Sequence, residues 1–133
     1  MALNLRVMTI NGIILASEAQ EVILSTNSGQ IGILPNHAAL LTGLDIGVMK
    51  VLSNNQWTAI ALMGGFAKIE NNELTILVTE AEKATDINLE EAQSTFTTAE
   101  VKLGQAISRK EQIEANLTFK RAKARLEAIK AIS

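Results

Sequence analysis

The chain has 133 residues, 47% of them apolar and 20% charged, and a net charge of −2. That suits one domain, or a small domain with an appendage, and is too apolar for a wholly disordered segment. The absence of cysteine and the presence of a single histidine, His37, exclude disulfides, thiol catalysis and cysteine-ligated or multi-histidine metal sites.

The first residues, Met1-Ala2-Leu3-Asn4-Leu5-Arg6, lack the basic segment and long apolar block of a leader. The chain is therefore expected to be made where it works, or to have lost a presequence. No apolar run approaches the roughly 18 residues that cross a bilayer. Leu3, Leu5 and Val7 alternate with polar or flexible neighbours, the period of a half-buried strand. Residues 21–26, 30–34, 47–52, 57–63, 66–69 and 74–79 read as further strands. Asn27-Ser28-Gly29, Asn54-Asn55 and Asn71-Asn72 lie between runs, and asparagine and glycine suit tight turns because they tolerate positive φ. Short strands at such spacing predict an antiparallel sandwich or barrel over residues 1–84.

The pattern changes after Lys83. Asn88 followed three residues later by Glu91 makes a capping box, and so do Ser108 and Glu111. Leu89, Ala92, Phe96, Ala99, Leu103 and Ala106 form one helical stripe. Ala115, Phe119, Ala122, Leu126 and Ile129 form another. Residues 85–133 are thus predicted to be a two-helix antiparallel hairpin, broken near Gly104. Charge agrees with that pairing. Residues 86–100 hold four acids and no base, and residues 120–130 hold five bases and one acid. Antiparallel helices bring these segments side by side and suit both helix dipoles. Five of the eleven stripe residues are alanine. Each large side chain buried contributes roughly 1.5–3 kcal/mol, against about 1–2 kcal/mol of backbone entropy per ordered residue. The seam alone cannot dominate, and the hairpin is expected to open and present its apolar stripe or basic end.

No residue pattern calls for catalysis. His37 lies in Leu34-Pro35-Asn36-His37-Ala38. Ser25, Ser28 and Asp45 are its conceivable triad partners, but no nucleophile-elbow pattern surrounds either serine. Gly29-Gln30-Ile31-Gly32 and Gly64-Gly65 lack the Lys-Ser/Thr of a phosphate loop and read as turns or close packing. The one basic cluster holds Lys120, Arg121, Lys123 and Arg125. It suits an acidic protein surface. With four aromatic residues in an acidic chain, nucleic acid is not expected as a partner. On residues alone the chain is a non-catalytic partner-binding protein, either a subunit of a larger machine or a free-standing adaptor.

The run from Glu21 to Thr42, with Ser28-Gly29-Gln30-Ile31-Gly32-Ile33-Leu34-Pro35-Asn36-His37 at its centre, resembles the epsilon subunit of F-type ATP synthases. Ala61-Leu62-Met63-Gly64-Gly65-Phe66-Ala67 and the terminal hairpin agree. The ending Glu127-Ala128-Ile129-Lys130-Ala131-Ile132-Ser133 resembles the chloroplast type, in which a plastid-made subunit needs no transit peptide.

The resemblance covers essentially the whole chain. It implies a ten-stranded β-sandwich and a two-helix domain at the foot of the central stalk. It also implies binding to the gamma subunit and the membrane c-ring, with no catalysis. The helices would extend to the alpha/beta catalytic head and inhibit ATP hydrolysis. Location would be the stromal side of the chloroplast thylakoid membrane, peripheral and held through the complex.

Carried onto this sequence, Gln30 and Ile31 face the c-ring, and His37, Thr42, Met63 and Phe66 contact gamma. Lys120, Arg121, Lys123 and Arg125 meet the catalytic head. Some bacterial relatives bind ATP through Ile/Leu-Asp-x-x-Arg-Ala. Here the stretches read Ile87-Asn88-Leu89-Glu90-Glu91-Ala92 and Leu117-Thr118-Phe119-Lys120-Arg121-Ala122. Both lack the aspartate and the first lacks the arginine, so no cofactor is expected.

Overall fold

A computed structural model describes residues 2–132. Met1 and Ser133, which close the two terminal motifs read above, lie outside the described residues. Eight strands precede two helices: β1 (Leu3–Thr9), β2 (Gly12–Ala19), β3 (Glu21–Thr26), β4 (Gly29–Ile33), β5 (Leu40–Ser53), β6 (Gln56–Glu70), β7 (Glu73–Val78) and β8 (Ala81–Lys83). A 3-10 turn at Ala84–Asp86 then leads into α1 (Leu89–Gln105) and α2 (Arg109–Ile132).

The strand order is β2-β1-β7-β6-β5-β3-β4, with β8 also paired to β6. β5 and β6 have 14 and 15 residues, far above the usual five or six, and each serves two layers. Leu40 to Leu44 pair with Gly65 to Ile69, beside β7, β1 and β2. Ile46 to Ser53 pair with Gln56 to Met63, beside β8, β3 and β4. The crossing point is at Asp45 and Gly64, between the Leu44–Gly65 and Ile46–Met63 pairs, and Gly64 and Gly65 have φ values of +87° and +153°. An eight-strand chain thus supplies two five-stranded layers, which reconciles it with the ten strands expected. One expectation is corrected. β1 and β7 run parallel, because β7 follows β6 in a hairpin while β1 enters from the chain start and occupies the free edge.

The turn chemistry is as the asparagines imply. Asn54 and Asn55 (φ 53° and 61°) close β5 onto β6, and Asn71 and Asn72 (φ 53° and 64°) close β6 onto β7. β2 has no period-2 signal because its register with β1 shifts between Val7 and Met8. This bulge lets consecutive Ile14 and Leu15 pack against the core and leaves Ile13 outside. β8 is too short to show a period.

The inner core between the layers is built from Leu3, Leu5, Val7, Val22, Leu24, Ile33, Met49, Val51, Ile60, Leu62, Ile69, Leu74 and Ile76. A second core lies outside the β3–β4 layer. There Val48, Ala59, Ala61 and Met63 meet Ala84, Ile87, Ala92, Ala124, Leu126 and Ala128. The hairpin is therefore a third layer. The N-cap half of each capping box forms: Asn88 Oδ1 and Ser108 Oγ accept from the amides of Glu91 at 2.9 Å and Glu111 at 3.1 Å. Phe96 and Phe119 stack across the seam with ring centroids 5.3 Å apart. Leu89 is the stripe residue that departs from expectation, remaining exposed at the open end of α1.

Candidate partner-binding surfaces

The two faces of the sandwich differ in cover. The outer face of the β3–β4 layer lies under the hairpin. Among the described residues, nothing covers the outer face of the β1–β7 layer. Strand alternation turns Leu74, Ile76 and Val78 inward and leaves Leu77 outward. Register then places Phe66 opposite Leu77, Leu77 opposite Met8, and Met8 opposite Ile13. Leu41 lies diagonally across from Phe66, opposite Lys68. Phe66 is 59% exposed, Leu77 49% and Ile13 60%. Single exposed apolar residues are ordinary, but a contiguous row across four strands is a candidate docking surface.

The residues read as gamma contacts distribute unevenly around this row. Phe66 is at its β6 end. Thr42 pairs with Ala67, so alternation turns it away from Phe66, and its hydroxyl donates to the Gly43 carbonyl at 3.2 Å. Met63 is buried in the core beneath the hairpin, which removes it from any sandwich-only interface while the hairpin is docked. His37 lies half-buried in the loop between β4 and β5. Its amide donates to the Leu34 carbonyl at 3.2 Å, and its Nδ1 lies 2.7 Å from the Ala38 carbonyl oxygen. Asn72 pins that loop: its Oδ1 accepts from the Asn36 amide at 2.6 Å, and its Nδ2 donates to Asn36 Oδ1 at 3.3 Å. The loop is thereby fixed on the β6–β7 turn. Ile13, Leu41 and Leu77 belong to this candidate row and were not among the residues expected from the sequence. Leu77 had a readable signal, an apolar residue on the outward beat of an alternating strand.

The conceivable triad is not assembled. Ser25 Oγ donates to the Val48 carbonyl at 3.4 Å, and Asp45 Oδ1 accepts from the adjacent Ile46 amide at 2.8 Å. Among the described residues no group of three or more His, Cys, Asp or Glu side chains is placed to hold a metal ion.

Gln30 and Ile31 lie on β4, the strand at one end of the sheet order. Gln30 is exposed and Ile31 half-buried. The preceding turn is held by Thr26, whose hydroxyl donates to the Gly29 carbonyl at 2.7 Å and accepts from the Ser28 amide at 3.2 Å. This presents a polar strand end on a firm turn.

The basic cluster of α2 splits. Lys120, Arg121 and Lys123 are exposed. Lys123 makes an exposed pair with Glu127 at 3.8 Å, a geometry that contributes little. Arg125 is different. Its Nε and Nη2 hold Glu82 of β8 at 2.8 and 3.3 Å, and its Nη1 holds Glu91 of α1 at 3.4 Å. The hydrogen bond to Glu82 raises the guanidinium pKa above its ordinary value. The charges of Glu82 and Glu91 add to that, and burial opposes it. The predicted match of the acidic start of α1 with the basic end of α2 is thus realised at Glu91. Glu82, on the sandwich, went unread.

No helix among the described residues is long and apolar enough to cross a membrane. Two family models match. The ATP synthase Delta/Epsilon chain beta-sandwich domain covers residues 2–84, and the ATP synthase Delta/Epsilon chain long alpha-helix domain covers residues 85–130. The chain is 71% identical over 133 residues to the chloroplastic ATP synthase epsilon chain of Staurastrum punctulatum, covering all of this chain and 96% of that one. It is 69% identical over 131 residues to the one of Zygnema circumcarinatum, covering 98% of each. Among solved structures, a chain of the Euglena gracilis mitochondrial ATP synthase OSCP/F1/c-ring assembly matches with a TM-score of 0.83 at 22% identity. That match covers 96% of this chain and 80% of the other, and at such identity it speaks for the fold.

Proposed function

The chain belongs to the ATP synthase delta/epsilon chain family, and on that premise we propose that its sandwich fastens it to the rotor while its hairpin restrains ATP hydrolysis. It is a non-catalytic epsilon-type subunit of a rotary ATP synthase. The observation that carries the division of labour is the opposite cover of the two sandwich faces. The row Phe66, Leu77, Met8 and Ile13 is free for a permanent partner, and the other face is occupied by the chain's own helices.

The gamma subunit takes the free row, with Leu41 beside it and the His37 loop and Thr42 at the rim. Met63 belongs to the hairpin's seat instead. The c-ring meets the β4 end through Gln30 and Ile31. The hairpin presents Lys120, Arg121 and Lys123 to the alpha/beta catalytic head. With 98–100% of this chain matched to chloroplastic epsilon chains, the working location is the stromal side of the thylakoid membrane, peripheral and held through the complex.

The anchor is tested by replacing Phe66 and Leu77 together with serine. Both side chains point to solvent in the free chain, so the fold should survive. Loss of two central apolar anchors at an interface typically weakens binding by about 100-fold or more. Gamma binding measured by titration should fall by that order with the melting temperature unchanged. Gamma affinity equal to that of the unmodified chain would remove the row from the interface.

A further inference from the structure

The seat of the hairpin is poor in large apolar groups. On the helices, the residues buried in it are Ala92, Ala124, Leu126 and Ala128, with Phe96 and Ile129 only partly buried against it. Alanine allows close approach but removes little area from water. The polar contact is correspondingly important, and it is concentrated in one residue. Arg125 is 17% exposed and reaches two carboxylates on different elements, Glu82 on β8 and Glu91 on α1. The fork to Glu82 is bidentate, a geometry that lysine cannot reproduce. The pairs Lys68–Glu70 and Lys123–Glu127 have both side chains more than half exposed, where screening removes most of the gain; Glu91 is 64% exposed as well, so the Glu82 arm is the stronger of the two.

We propose that Arg125 is a three-way latch: its arm to Glu82 seats α2 on the sandwich, its arm to Glu91 seats α1 on α2, and release of the first arm frees the whole hairpin. The latch stands on geometry alone. Its consequence for hydrolysis rests on the inhibitory role proposed above. In the docked state Arg125 is occupied, so it joins the exposed Lys120, Arg121 and Lys123 on a partner only after leaving Glu82. The docked population then sets the inhibitory affinity, because only the released fraction can bind the head.

Hydrogen exchange on the full chain, with Glu82→Gln, Glu91→Gln, Arg125→Gln and the double change E82Q/R125Q, tests the latch. E82Q and R125Q should speed exchange throughout α1 and α2 by about tenfold, the scale expected for a charged hydrogen bond lost from a partly buried site. E91Q should affect α1 only. The double change should be no faster than R125Q. Amides of β7 should stay as slow as before. Unchanged helix exchange in E82Q overturns the latch, as does faster exchange that extends into β7, which would make Glu82 a residue of the sandwich fold.

In an epsilon-depleted ATPase, E82Q leaves every basic residue of α2 in place and should inhibit at about one-tenth the concentration that the unmodified chain needs. Equal potency despite faster exchange overturns the regulatory half. If the unmodified chain does not inhibit at all, the inhibitory role fails and the exchange result still decides the latch.

Discussion

Gly65 joins the two layers at a single residue. A Cβ placed there would lie 2.1 Å from the Leu77 carbonyl oxygen and 2.7 Å from Val78 Cα, with φ already at +153°. Neither atom is the end of a flexible side chain, so the backbone must move. Gly65→Ala should therefore lower stability by about 2 kcal/mol or more, read as an earlier midpoint in a urea titration. A midpoint equal to that of the unmodified chain would show that the bend relaxes freely. Glycine at this place was legible as a close-packing signal, though its use in dividing one strand between two layers was not. The asparagine pairs were fully legible, because positive φ at Asn54, Asn55, Asn71 and Asn72 follows from the residue type. Arg125 was read as part of an exposed basic run. A helix sequence shows which residues are charged, not which one a distant carboxylate captures, and Glu82 lies 43 residues away.

At the scale of elements, the helices were the most readable part. Both capping boxes and the apolar period are local properties. The strands whose signal is local alternation were readable too. β2 was not, since a bulge displaces its alternation, nor was the parallel pairing of β1 with β7, which depends on where a free sheet edge remains. The seat of α2 could not be read either. It depends on Ala59 and Ala61, whose outward positions on β6 look unremarkable in a strand also rich in inward apolar residues. Their small size lets α2 approach closely. Ala61 is fully buried, and Ala61→Leu adds three carbons where there is no room. Overpacking of this kind costs typically 1–3 kcal/mol, and the hairpin can avoid the cost by undocking. The expected signature is faster exchange in α1 and α2 with a nearly unchanged β core. Uniform acceleration through all strands would place Ala61 in the sandwich's own stability instead.

For the whole molecule, the order of layers makes the function intelligible. On the proposed function, the bare face takes the lasting partner and the face covered by the chain's own helices is held in reserve. The free row keeps its geometry whether or not the hairpin is seated, because register across β6, β7, β1 and β2 is fixed by main-chain pairing and by the inner core. On the helices, the buried part of the seat is three alanines and one leucine, with Phe96 and Ile129 only partly buried beside them and Arg125 as its polar contact. The proposed division, a fixed anchor and a detachable hairpin, follows from that contrast. The sandwich-and-hairpin division was legible from the change of period near Lys83. Which face of the sandwich stayed open was not, since it depends on where α2 lands.

The most direct test removes residues 87–133 and reconstitutes the remainder with gamma and an epsilon-depleted ATPase. Gamma affinity should stay within about threefold of the full chain, with loss of the inhibition of ATP hydrolysis, since the proposed gamma row and the hairpin seat lie on opposite faces of the sandwich. A truncated chain that no longer binds gamma, or that still inhibits as the full chain does, would contradict the proposed division.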